Sequence, residues 1–440
     1  MTRRFDNMSD RIKEVSTKEL SDRLGDGRTK IIDVRPVDAY NGWKHRSEAR
    51  GGHIQSAKSL PAKWTNYIDW LEIVRSKKIA PQDALVLYGR DNDQTEIVAS
   101  QFEKAGYPNV GVYHGFDGEW SARSEMPMEN LPRYEHLISA RWLKNLVSNG
   151  VAPEYRGDKY VICHAHYRNR NDYEKGHIPG AVDLDTNSLE SPETWNRRSP
   201  QDIKRAIEKL GIAHDTTVIL YGRFSFPDMD DPFPGSSAGH LGAFRCAFIM
   251  MYAGVRDVRM LNGGLQAWTD EGYPTTTEET EKLPVADFGA KIPACPGLVV
   301  DLPEAKEILK SPDKNLVCMR SWREFIGEVS GYHYIEKKGR IPGAVFGNCG
   351  SDAYHMENYR NPDHTTREYH EIEGMWSEAG VTPDKHNAFY CGTGWRASEA
   401  FFNAWLMAWP SISVFDGGWF EWSSDDKNPY ETGLPAGGTS

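Results

Sequence analysis

The chain has 440 residues, too many for one compact core and suited to two to four domains. With 39% hydrophobic and 26% charged residues it reads as globular, not disordered. A formal net charge of −11 argues against general binding to nucleic acid or an acidic membrane surface, because both repel an anionic protein. The N-terminal MTRRFDNMSD lacks the apolar centre of a secretory signal, and the best apolar run, CAFIMMYAGV at 246–255, is too short to span a bilayer. The cysteines at 163, 246, 295, 318, 349 and 391 show no CxxC or Cys/His zinc spacing. A cytoplasmic protein with free thiols is expected, most of them acting as small buried hydrophobes.

Three copies of one plan follow in chain order. The first runs from a helix-period stretch, VSTKELSDRL, through a strand in IIDVR (31–35), the segment GGHIQSA, a strand in ALVLYG (84–89) and HGFDGEW (114–120). The second repeats this as ISARWLKNLV, VICHA (161–165), KGHIPGA, TVILYG (217–222), an insertion containing PDMDDPFPGSSAGH, and NGGLQAW (262–268). The third has DLPEAKEILK, LVCMR (316–320), KGRIPGA, NAFYCG (387–392) and DGGWFEW (416–422). Strands alternating with helices predict an α/β fold of three tandem domains, each a parallel sheet flanked by helices. The expected bounds are 1–133, 134–284 and 285–440, with linkers around MENLPRYEH and TTTEETEKLP (275–284). This alignment puts Cys163 and Cys318 at the position of Asp33 inside the strands, where packing is the expected role.

Only the third copy carries a thiol after its central strand. Cys391 stands where the other copies have Gly89 and Gly222, which supply no nucleophile. In a parallel α/β domain, ligands sit beyond the carboxyl ends of strands, where loops feed helix N-termini. Gly392 and Gly394 let the backbone curl so that N–H groups converge, and the helix RASEAFFNAWLMAW adds its positive end. Together with Arg396 this should favour the thiolate at Cys391.

The cysteine, short curled loop, helix and downstream DGGWFEW resemble the rhodanese-like sulfurtransferase superfamily. Tyrosine phosphatases wrap a phosphate with Cys-x5-Arg, whereas Cys391 and Arg396 are one residue closer, a tighter cradle suited to a persulfide. The segments EVSGYHYIEKKGRIPGA, SDAYHMENYRNPDHTTREYHEIE, YCGTGWRASEA and DGGWFEWS narrow the likeness. They resemble the polysulfide-dependent sulfurtransferase family of anaerobic ergothioneine biosynthesis, as do the earlier DAYNGWKHRSEARGGHI, CHAHYRNR and SPETWNRRSP.

That resemblance implies sulfane sulfur passing from polysulfide through a Cys391 persulfide to C2 of the imidazole of hercynine, the trimethylbetaine of histidine. It implies small-molecule partners and no cofactor. It places the tyrosine facing the imidazole at Tyr332, the loop threonine at Thr393 and a loop glutamate near the substrate at Glu324. Arg396 and the loop amides, including those of Gly392 and Gly394, are expected to stabilise charge on Cys391. Trp395 and neighbouring aromatics offer a face for the quaternary ammonium. Trp419 and Trp422 read as core, because Trp422 has counterparts in both thiol-less copies. His355, His364, His370 and the HAH at 164–166 match no ligand spacing, so no metal is expected. The alternatives are a thiosulfate or 3-mercaptopyruvate sulfurtransferase, disfavoured by the bulky Trp395-Arg396 pair, and a non-enzymatic persulfide carrier or sulfide sensor.

Overall fold

The computed structural model describes residues 12–45, 47–224 and 238–435. Most of the predicted insertion in the second copy, and the N-terminal ten residues, lie outside this set. The chain divides into two compact units, Met1–Glu135 and His136–Ser440.

Each repeat forms a five-stranded parallel sheet. In the first unit the order is Lys13–Glu14, Val110–Tyr113, Ala84–Tyr88, Thr29–Asp33 and Lys58–Ser59. The second unit holds two such sheets. One runs Ala181–Asp185, Tyr160–His166, Thr217–Tyr221, Asp257–Leu261, Leu137–Ile138, and the other Val299–Val300, Ile412–Phe415, His386–Tyr390, Lys314–Cys318, Val345–Phe346. The strand preceding Gly89, Gly222 or Cys391 is central in every case. Its near-continuous apolar run follows from burial on both faces, as parallel sheets require.

The predicted opening helices occur at Thr17–Arg23, Ala140–Asn149 and Leu302–Ile308. The first two begin at Ser16 and Ser139, whose side chains accept from backbone N–H groups of the first turn. Trp120, Trp268 and Trp422 are all buried, and each indole N–H donates to a following proline carbonyl, of Pro127, Pro274 and Pro429. Trp422 is therefore a repeated core element, and Trp419 is buried beside it.

Strand register corrects one alignment. Asp33 lies opposite Tyr88, and Cys318 lies opposite Tyr390, in each case the residue just before the central turn. In the second repeat the partner of Tyr221 is His164, while Cys163 faces Leu220. Cys163 is thus one place away from the Asp33 position, and a one-residue slip turns a side chain to the opposite face. Cys318 also does more than fill space. The buried Arg35 donates through Nε to Asp33 Oδ1 at 3.0 Å, and the buried Arg320 donates through Nε to Cys318 Sγ at 3.3 Å.

The expected linker at 275–284 is docked along the second repeat. Thr276 and His177 form an antiparallel bridge, Arg170 pairs with Glu279 and Lys282 with Asp183. The first expected linker begins in a short strand, Met128–Glu129, paired antiparallel with His53–Ile54.

Within the second unit, helices Gly239–Ala253 and Trp395–Leu406 pack together through Phe244 against Phe402 and Phe248 against Phe401. All fifteen residues of Gly239–Ala253 are buried. The apolar run at 246–255 is hydrophobic all round for that reason. No helix among the described residues is long and apolar enough to cross a membrane.

Candidate active site at the central strand of the third sheet

The strand His386–Tyr390 delivers Cys391 to a turn that enters the helix Trp395–Leu406. The turn is held from behind: Trp419 N–H donates to the Cys391 carbonyl at 2.8 Å, and Phe420 N–H to that of Gly392 at 3.0 Å. With these carbonyls tied back, Gly394 N–H donates to Cys391 Sγ at 3.2 Å. Gly394 has φ 92°, which a side chain would strain, and Gly392 permits a close approach, since a Cβ there would lie 2.3 Å from the Tyr332 ring. Cys391 is 1% exposed.

Arg396 does not reach Cys391. Its guanidinium donates to Glu324 at 3.0 and 2.9 Å, to the Tyr332 hydroxyl at 2.7 Å, to Cys349 Sγ at 3.1 Å and to the Asp352 carbonyl at 2.9 Å. The expected contact between Arg396 and the sulfur is replaced by one with Tyr332, because the guanidinium is committed to a buried bidentate pair. Glu324 is likewise not a loop residue. It is fully buried in the first turn of the helix Trp322–Phe325 and completes a capping box with Ser321. Burial pushes its carboxyl up, but the Arg396 charge and hydrogen bonds win and hold it below the ordinary value.

Tyr332 is a half-buried phenol kept protonated. Burial raises its pKa well above the ordinary value, with Arg396 opposing. Arg396 occupies the phenol oxygen as donor, which leaves the hydroxyl proton to be given elsewhere. Cys349, in the predicted loop, is buried, and burial pushes its thiol up to about 12. Cys246 is buried and Cys295 exposed.

A pocket opens beside this turn, lined from the third repeat by Tyr332, Tyr334, Ala353, Tyr354, Thr393, Trp395 and Arg396. The second repeat completes it with Tyr167, Trp195, Ala238 and Leu241. Trp195 stacks on Tyr334 with centroids 4.3 Å apart and donates its indole N–H to the Tyr167 hydroxyl at 3.1 Å. Tyr167 meets Trp395 edge-on at 5.3 Å. Trp195 takes φ 59°, uncommon for a bulky residue. Such backbone strain recurs at functional sites. These second-repeat residues lie in CHAHYRNR and SPETWNRRSP, where the resemblance alone hinted at a role. His355 pairs with Asp352 and His364 stacks on Phe224.

The two thiol-less turns are filled. A Cβ at Gly89 would lie 2.5 Å from Thr95 Oγ1, and one at Gly222 would lie 2.2 Å from the Gly239 carbonyl oxygen.

A family model described as Rhodanese-like domain matches residues 16–123, 166–271 and 301–425. The thiosulfate sulfurtransferase YnjE of Escherichia coli (strain K12) is 40% identical over 419 residues, 94% of this chain and 91% of that one. EanB in complex with hercynine is 59% identical, with a TM-score of 0.95 over 98% of this chain and 100% of that one. The anaerobic ergothioneine biosynthesis enzyme from Chlorobium limicola, in complex with trimethyl histidine, is also 59% identical, with a TM-score of 0.94 over 96% of this chain and 100% of that one.

Proposed function

The chain belongs to the rhodanese-like domain family, and from that premise we propose that it is the sulfurtransferase that moves sulfane sulfur from polysulfide, through a Cys391 persulfide, to C2 of hercynine, giving ergothioneine without oxygen. The observation that carries this reading is Tyr332, a proton-donating phenol held by Arg396 against the Cys391 turn in an aromatic pocket. EanB, the 59%-identical relative, has been solved with hercynine, with ergothioneine, and as a cysteine persulfide in a tetrahedral intermediate state with ergothioneine.

The steps balance without a redox cofactor. Cys391 thiolate attacks polysulfide and keeps one sulfane sulfur, releasing the shortened chain. Hercynine enters with its trimethylammonium against Trp395, Trp195 and the pocket tyrosines, and Thr393 fixes one ring nitrogen. Tyr332 gives its proton to the other ring nitrogen, and Arg396 stabilises the phenolate left behind. The ring is now an imidazolium, whose C2 proton passes to the terminal sulfur of the persulfide. The C2 carbon attacks that sulfur, the S–S bond breaks, and Cys391 leaves as thiolate beside the Gly394 amide. The S–H proton returns to Tyr332. One hydrogen has moved from carbon to nitrogen, and the two electrons given up by the C2 carbon have been accepted by the S–S bond, whose pair leaves on the Cys391 thiolate.

In this reading Cys391, Tyr332 and Thr393 touch the reacting atoms, and Trp395 binds the cation. Arg396 and Glu324 are positioning residues that act through Tyr332, while Gly392 and Gly394 shape the turn. The repeats bounded at 1–133 and 134–284 are catalytically empty, and 285–440 is the catalytic domain. Free cysteines throughout favour the reducing cytoplasm.

The test is anaerobic incubation of purified protein with polysulfide and hercynine, read by mass spectrometry for ergothioneine. Cys391→Ser should give none. Thiocyanate from thiosulfate and cyanide as the sole product would replace this reading with that of a thiosulfate sulfurtransferase.

A further inference from the structure

The second repeat has glycine where the third has Cys391, yet a buried ion pair within it touches two walls of the pocket. Glu190 is fully buried, and both of its oxygens lie 3.0 Å from the Trp395 indole nitrogen, which donates to them. Arg245, on the helix Gly239–Ala253, donates through Nε to Glu190 at 3.1 Å and through Nη2 to the Trp195 carbonyl at 2.8 Å. The same Nη2 reaches Asp416 at 2.6 Å, and Arg197 bridges Asp416 to Asp301. A single guanidinium thus fixes the strained backbone of Trp195, while its carboxylate partner fixes the ring of Trp395.

We propose that the Glu190–Arg245 pair is a positioning device for quaternary-ammonium recognition: Glu190 orients the Trp395 indole and polarises it through its N–H, making the ring a stronger face for the trimethylammonium group.

This rests on the hercynine reading and adds the residue that sets selectivity for the methylated amine. A cation is drawn to an aromatic face by the ring's negative quadrupole. A carboxylate accepting the indole N–H pushes electron density into the ring and deepens that quadrupole. Glu190 lies out of solvent, so salt screens its effect little. The chain of charges from Glu190 through Arg245, Asp416 and Arg197 to Asp301 holds three acids and two bases; burial pushes the Glu190 carboxyl up to about 7, so the net negative background behind the indole is complete above that pH. A quaternary ammonium, which donates no hydrogen bond, gains most from such a face. The primary ammonium of histidine keeps a stronger claim on water.

The experiment measures kcat/KM for hercynine and for histidine, with persulfidation of Cys391 by polysulfide measured separately by intact mass. Glu190→Gln is expected to lower the hercynine-to-histidine ratio about five- to tenfold, through KM, the range of one strengthened cation–π contact. Persulfidation should be retained. In a Trp395→Phe background, which lacks the N–H, Glu190→Gln should change the ratio no further. An unchanged ratio in Glu190→Gln with persulfidation intact would overturn the proposal, as would fully additive effects of the two substitutions. If Glu190→Gln does not persulfidate and so has not folded, Glu190→Asp takes its place, keeping the charge against Arg245 but withdrawing it from the indole, with the same drop expected. Wild-type protein that converts neither compound would sink the substrate reading instead; binding of tetramethylammonium, read by tryptophan fluorescence, then decides this inference, a weaker affinity in Glu190→Gln supporting it and an equal affinity overturning it.

Discussion

Arg396 donates a 2.7 Å hydrogen bond from Nη2 to the hydroxyl of Tyr332 and holds Glu324 through both Nη1 and Nη2, so this arginine serves the phenol and not the Cys391 thiol. That geometry divides persulfide formation from sulfur delivery, and substitutions should separate the two.

Tyr332→Phe keeps the ring and removes the proton. Cys391 should still gain one sulfur by intact mass, while single-turnover formation of the thiolated product slows by about 100-fold or more, the usual worth of a placed general acid. Equal loss of both steps would contradict the role given to Tyr332.

Gly392→Ala should mimic that result without touching the phenol. The new methyl would occupy space 2.3 Å from the Tyr332 ring and force it outward. Product formation should fall while the thermal midpoint drops only modestly, because the turn can shift toward the open pocket. Unchanged turnover would show that ring placement is not critical.

Arg396→Gln leaves Glu324 as a buried charge without its partner. Chemical denaturation should show a loss of about 3–5 kcal/mol. Replacing both residues by Leu or Met should recover much of that stability but not sulfur delivery. If the double variant is no more stable than the single one, the uncompensated carboxylate is not the cause.

Glu399 provides a pH signature. It is buried on the helix Trp395–Leu406 and paired with Arg360, and burial still pushes its carboxyl up to about 7. The unfolded chain releases that proton near the ordinary value of about 4.3. The folded state therefore binds more protons between these values, and stability falls as pH rises through that window, then levels off above 7. Glu399→Gln cannot ionise, so its stability relative to wild type should rise between about pH 5 and 7, measured by urea unfolding. A flat difference would refute the raised carboxyl.

Much of this architecture was legible in the sequence because it is repeated. Three strand endings at Gly89, Gly222 and Cys391 and three tryptophans at 120, 268 and 422 reported one local plan, and local plans follow from period and turn chemistry. The direction of Arg396 was not legible, since its partner Glu324 lies 72 residues away and sequence spacing says nothing of which edge of a guanidinium faces a thiol. A local signal did exist at Glu324: Ser321 three residues before it is the capping-box pattern that starts a helix. Glu190 and Arg245 gave no such sign, because their chemistry arises only when two repeats pack helix against helix. The slip at Cys163 came from matching letters where the strand simply runs longer, to His166.

The close approach of Gly239 to Gly222 also constrains what the middle repeat can become. With a carbonyl oxygen 2.2 Å from where a Cβ would stand, a cysteine at 222 cannot be accommodated there without moving the helix Gly239–Ala253. The neighbouring helix fills the space that a side chain at 222 would need, and it bears Arg245, which holds Glu190 and the Trp195 backbone at the pocket. The middle repeat is thereby tied to its role as a wall: a helix shift that made room for a side chain at 222 would move the pocket with it.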